Sequence, residues 1–140
     1  MNIIFIIIVT SLFDCVQNNN FNSKDLTEVG LWKASTCKKG NGVNLIRNSS
    51  DNNNFWQSDG DFPHYIEINF NKIEYITEIW IYLNYAIDES YTPRRMILKT
   101  ESICGDIYNL LFIDIDVDPI SLNGWAKIDL KNLKFYDGNE

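Results

Sequence analysis

The chain has 140 residues, enough for one domain, and its 45% apolar fraction is sufficient for a core that hides most of the surface such a domain must bury. With 12 basic against 19 acidic residues the net charge is -7, which excludes a general nucleic-acid binder, because that affinity comes from Lys and Arg displacing counterions. One histidine, His64, and three scattered cysteines, Cys15, Cys37 and Cys104, argue against a zinc centre, a disulfide framework and a histidine-activated nucleophile.

From the N-terminus, Ile3 to Phe13 is an apolar run of the length of a secretory h-region, shorter than the roughly 20 residues a membrane helix needs. No Lys or Arg precedes it, so the basic flank of a secretory signal is missing. Val16 to Lys24 is polar and without period. Residues 1-24 are therefore expected to lie outside the fold, as an apolar start and a linker, with the domain spanning 25-140. Gly40-Asn41-Gly42 marks a tight loop, and Leu45 to Asn48 a single helical turn or an irregular segment. The Asn-rich stretch Asn48 to Asn54 reads as a surface loop and includes the glycosylation triplet Asn48-Ser49-Ser50.

Beyond residue 62 short strand-like runs alternate with turn signals, and no apolar stripe of helical period is sustained. In Tyr65 to Phe70 the residues Ile66, Ile68 and Phe70 alternate with polar or amphipathic neighbours, giving a strand with one buried face. Ile76 to Leu83 is almost continuously apolar and predicts a central strand covered on both sides. Arg95 to Thr100, Asn109 to Val117 and Trp125 to Leu130 add three more, so the chain is expected to be all-β, a sandwich or a barrel. Asp114, Asp116 and Asp118 recur with period two and read as a solvated sheet face rather than a calcium site.

Three separated motifs carry a family resemblance: Gly40-Asn41-Gly42-Val43-Asn44-Leu45-Ile46-Arg47, Phe55-Trp56-Gln57-Ser58-Asp59-Gly60 followed by Pro63-His64, and Asp88-Glu89-Ser90-Tyr91-Thr92-Pro93. Together they resemble the Doc domain of the anaphase-promoting complex, subunit ten, from about Glu28 to Leu130. The resemblance implies a jelly-roll β-sandwich of the galactose-binding-domain-like type. It also implies a non-catalytic substrate-recognition role: with a WD-repeat coactivator, the domain forms a receptor for the destruction box of cell-cycle proteins and promotes processive ubiquitination. The implied partners are the scaffold and cullin-like subunits of the complex, the coactivator and the substrates, in nucleus and cytoplasm. No cofactor or metal is implied.

The same resemblance places Asp88, Glu89, Ser90 and Tyr91 in a degron-binding loop. Ser90 offers a hydroxyl that donates and accepts, Tyr91 an apolar face, and the two carboxylates a long-range attraction for a basic degron residue. Read without it, the segment is an ordinary turn, since Asp, Ser and Pro are turn formers. Trp56 is expected to plug the core while Ser58-Asp59-Gly60 forms a capped turn, with Gln57 and Asp59 lining the same end of the sandwich as Ser90. Adjacent Asp88 and Glu89 cannot face each other across a glycosidic bond, and Asp59 with His64 lacks a nucleophile, so no enzyme is expected. In the family the chain continues through further strands and a scaffold-docking tail. This sequence is therefore expected to lack the C-terminal strands of the sandwich. The alternative reading is a secreted carbohydrate-binding sandwich, suggested by the apolar start and the glycosylation triplet.

Overall fold

The computed structural model describes residues 4-10, 24-47, 53-72, 74, 76-104, 107-116 and 123-130; for 4-10, 100-104, 107-116 and 123 it describes the backbone alone. Seven strands occur among them: β1 (Ile4–Thr10), β2 (Leu31–Ala34), β3 (His64–Asn69), β4 (Glu78–Asn84), β5 (Arg95–Cys104), β6 (Ile107–Asp116) and β7 (Asn123–Asp129). A single helical turn, α1 (Tyr85–Asp88), runs into a 3-10 turn at Glu89–Tyr91, and a second 3-10 turn spans Val43–Arg47. The all-β expectation holds, and four of the five predicted strands fall within about two residues of the observed bounds; the fifth, β5, runs on to Cys104.

The strands form two sheets, a five-stranded one in the order β2-β3-β1-β5-β6 and the pair β4-β7. β3 shows why alternation is decisive. His64, Ile66 and Ile68 are buried along one face while Tyr65, Glu67 and Asn69 are half-exposed along the other. The buried row of β3 meets Met96 and Leu98 of β5, both fully buried, and Ile128 and Leu130 at the β7 side, with Ile79 and Ile81 of β4 packed against them. The core thus lies between the two sheets, which is the sandwich arrangement.

Two sequence expectations are corrected. Residues 4-10, placed outside the fold, form β1 at the centre of the larger sheet, parallel to β3 on one side and to β5 on the other. A strand paired on both edges in parallel is written as an unbroken β-branched apolar run, the same composition as a leader segment, so only its neighbours distinguish the two. Of the rest of the expected lead-in, residues 1-3 and 11-23 lie outside the described residues. β4, expected as a central covered strand, instead pairs with β7 alone among the described strands. Its Trp80 is 52% exposed and lies under Lys127 Nζ, 5.8 Å from the ring centroid, while Tyr82 meets Trp125 edge-on at 5.4 Å. Amphipathic rings raise the apolar content of a strand without requiring that both its faces be covered.

β2 was not foreseen, because four residues are too short to show a period. It pairs antiparallel with β3, and Trp32 donates its indole N–H to the Thr27 carbonyl at 2.8 Å while its ring packs on the core. Gly30, just before β2, is buried so close to β3 that a Cβ there would meet Ile68 Cγ2 at 2.7 Å and Phe70 Cε1 at 3.2 Å. Among the described residues no helix is long and apolar enough to cross a membrane.

Candidate functional site

The register of β1 fixes which loops share an end of the sandwich. Phe5 stands opposite both His64, the first residue of β3, and Met96, the second of β5. The two strands therefore start side by side, two strand spacings or about 10 Å apart. β2 is antiparallel to β3 and so ends where β3 begins; β4 ends opposite the start of β7, and β6 ends opposite the start of β5. The β2–β3 connection, with Gln57 and Asp59, and the β4–β5 connection, with Asp88 to Tyr91, consequently emerge at the same end.

The first of these loops is braced internally. Trp56 is half-buried against the core, and its indole N–H donates to the Thr36 carbonyl at 2.9 Å. The Thr36 hydroxyl donates to the Asp59 carbonyl and accepts from the Asp59 N–H. Gln57 is held through its main chain, its N–H donating to Asn41 and its carbonyl accepting from Lys38. Gly60 closes the turn at φ 82, with its N–H on the Asp59 carboxylate at 3.1 Å, which is the capped turn that Ser58-Asp59-Gly60 suggested. Gln57 and Asp59 remain exposed. The loop then passes a cis Phe62-Pro63 bond into β3, where His64 is 8% exposed with its ring 4.6 Å from that of Phe62. His64 is a buried first residue of a strand, so it and exposed Asp59 do not form an acid-base pair.

The second loop is built differently. Asp88, Glu89, Ser90 and Tyr91 are all exposed, and Tyr91 reaches 77% exposure. Ile87, which the sequence reading passed over, is 76% exposed beside them. An isoleucine within a polar inter-strand segment was the available signal. Ile87 and Tyr91 thus offer exposed apolar surface in the same short segment as the Ser90 hydroxyl and the carboxylates of Asp88 and Glu89. Partial burial holds the Asp88 carboxyl above its ordinary range. Glu89 has φ 49 and ψ -124, a backbone conformation that side chains other than glycine rarely adopt. Such an arrangement suits an apolar and a polar contact to a chain laid across the end of the sheet.

Among the described residues no group of three or more His, Cys, Asp or Glu could hold a metal ion. Cys37 is an exposed free thiol; Cys15 and the Asn48 triplet lie outside the described residues. The acidic series falls on β6 and beyond it, where Asp114 and Asp116 are described by backbone only and Asp118 is outside the described residues.

Comparison with known proteins bears on these loops. The family model of the anaphase-promoting complex, subunit 10 (APC10), matches residues 12–139. The chain belongs to this family. The Doc domain match thus includes both loops and every described strand except β1. Among curated relatives, anaphase-promoting complex subunit 10 of Drosophila melanogaster is 38% identical over 115 residues, covering 80% of this chain and 54% of the relative. The same-named protein of Dictyostelium discoideum is 35% identical over 117 residues, 82% of this chain and 58% of the relative. The human subunit is 31% identical over 108 residues, 76% of this chain and 55% of the relative. The chain spans about half the length of the curated relatives it matches.

Proposed function

We propose that this chain is a non-catalytic subunit of the anaphase-promoting complex that presents substrates to the ubiquitin-transferring subunits. The end of the sandwich carrying Gln57, Asp59 and Asp88 to Tyr91 forms, with a WD-repeat coactivator, a receptor for the destruction box of cell-cycle proteins. Holding a substrate there longer allows more ubiquitin transfers per encounter. The observation that carries this reading is that the loops bearing the two family motifs emerge at one end of the sandwich, with Ile87 and Tyr91 exposed in the same segment as Ser90. Named relatives are subunits of this complex, which supports the same assembly, scaffold and cullin-like subunits included, for this chain. The site acts in the nucleus and cytoplasm.

The test is affinity capture of the tagged protein from dividing cells. Recovery of scaffold, cullin-like and coactivator subunits is the expected result. Recovery of none of them, together with a glycan on Asn48, would replace this reading with a secreted carbohydrate-binding module. Within the captured complex, Ser90→Ala combined with Tyr91→Ala is expected to shorten ubiquitin chains on a destruction-box substrate and leave subunit composition unchanged.

A further inference from the structure

The β4–β5 connection holds hydrogen-bonding atoms that its own fold leaves unused. Thr92, directly after the 3-10 turn, is 5% exposed, and its Oγ1 is buried without a hydrogen-bond partner among the described residues. Asn84, at the other end of the connection, has a buried Oδ1 in the same condition. Across the end of the sheet, at the start of β3, so does His64 Nδ1. The Thr92 main chain is fixed by its N–H on the Glu89 carbonyl at 3.1 Å, so the backbone of the turn is satisfied while the hydroxyl is not.

An unpaired buried hydroxyl costs stability that valine, its isostere, would not. Three such atoms at one end of a small domain therefore ask for a use. The segment between Asn84 and Thr92 is lightly anchored. Neither α1 nor the 3-10 turn buries a side chain, and Glu89 holds a strained φ of 49 in the middle of it. Few buried contacts and a strained backbone are the marks of a segment that opens at low cost.

We propose that Thr92 Oγ1 and Asn84 Oδ1 are held in reserve for a bound extended peptide, whose main chain pairs with them when residues 85-91 shift aside. The inference rests on the peptide-recognition reading above. A main chain offers an N–H and a carbonyl at every residue, so it satisfies an acceptor-only amide oxygen and a hydroxyl of either polarity. Such contacts carry no side-chain code. They set the depth and register of the peptide, and the exposed Ile87 and Tyr91 select its side chains.

The variants are Thr92→Val, which removes the hydroxyl at constant shape, and Thr92→Ser, which keeps it. The probe is a fluorescein-labelled destruction-box peptide, titrated into the full chain assembled with its complex and coactivator. Thr92→Val is expected to keep or raise Tm and to weaken peptide binding about ten-fold, while Thr92→Ser binds within about two-fold of the parent. Raised Tm with unchanged binding would show that the hydroxyl is an unused orphan, and lowered Tm would show that it is already paired in the free protein; either overturns the inference and leaves the recognition reading standing. Peptide that fails to bind the parent assembly itself overturns both.

Discussion

At Gly30 the constraint is the absence of a side chain. A methyl group there would lie 2.7 Å from Ile68 Cγ2, and Ile68 belongs to the central core row, so it cannot withdraw without opening a gap against its neighbours. Gly30→Ala is expected to cost about 1–3 kcal/mol, read as a fall in the denaturant midpoint at constant slope. Two carboxylates act in opposite senses. Burial raises the Asp88 pKa, so its charge opposes folding at neutral pH, and stability recovers as pH falls through the raised folded value toward 3.8. The Thr27 hydroxyl, and then the Thr27 N–H, lower the Asp25 pKa, so its contribution is present above 3.8 and is lost as pH falls through the lowered folded value. Asp88→Asn should therefore raise neutral-pH stability and Asp25→Asn should reduce it. Each effect is about 0.5 kcal/mol or less, because both groups are largely exposed, and in Tm measured against pH both variants should converge on the parent in acid.

Among the elements β1 has the largest consequence. It supplies hydrogen bonds to β3 along Phe5 to Thr10 and to β5 along Ile4 to Thr10, so two ladders depend on one strand. It also sets the separation between the β2–β3 and β4–β5 connections, since β3 and β5 are spaced by its width. Ile7→Pro removes a donor from the middle of a strand paired on both edges and is expected to cost about 3 kcal/mol or more, with amide-exchange protection lost in β3 and β5 together. Unchanged protection in those strands would mean that β1 does not hold this place. The alternation of β3 was legible because one face is core and the other is wet, which leaves a period of two in the sequence. β1 was not, because continuous apolarity has no period. β4 was misjudged for a related reason: Trp80 and Tyr82 count as apolar, yet they face outward, where Lys127 pairs with Glu78 at 3.1 Å.

For the whole molecule the central prediction is assembly: affinity capture should recover the complex, and the double substitution at Ser90 and Tyr91 should alter chain length on substrates without altering composition. The family was legible in sequence because its motifs, Trp56 to Gly60 and Asp88 to Pro93, are contiguous, each written in a row along the chain. That the two loops emerge at the same end of the sandwich follows from the parallel register of β3 and β5 through β1. Sequence could not show that Thr92 is buried with its hydroxyl unpaired among the described residues, since it sits in a polar inter-strand segment. By itself, then, the sequence determined the all-β class, four of the strand positions and the family, because each rests on local order: alternation, turn residues and contiguous motifs. Only the tertiary structure decided which run stands at the centre of the sheet, which strand keeps an open face and which buried polar atoms lack a partner among the described residues, because those depend on neighbours distant in the chain.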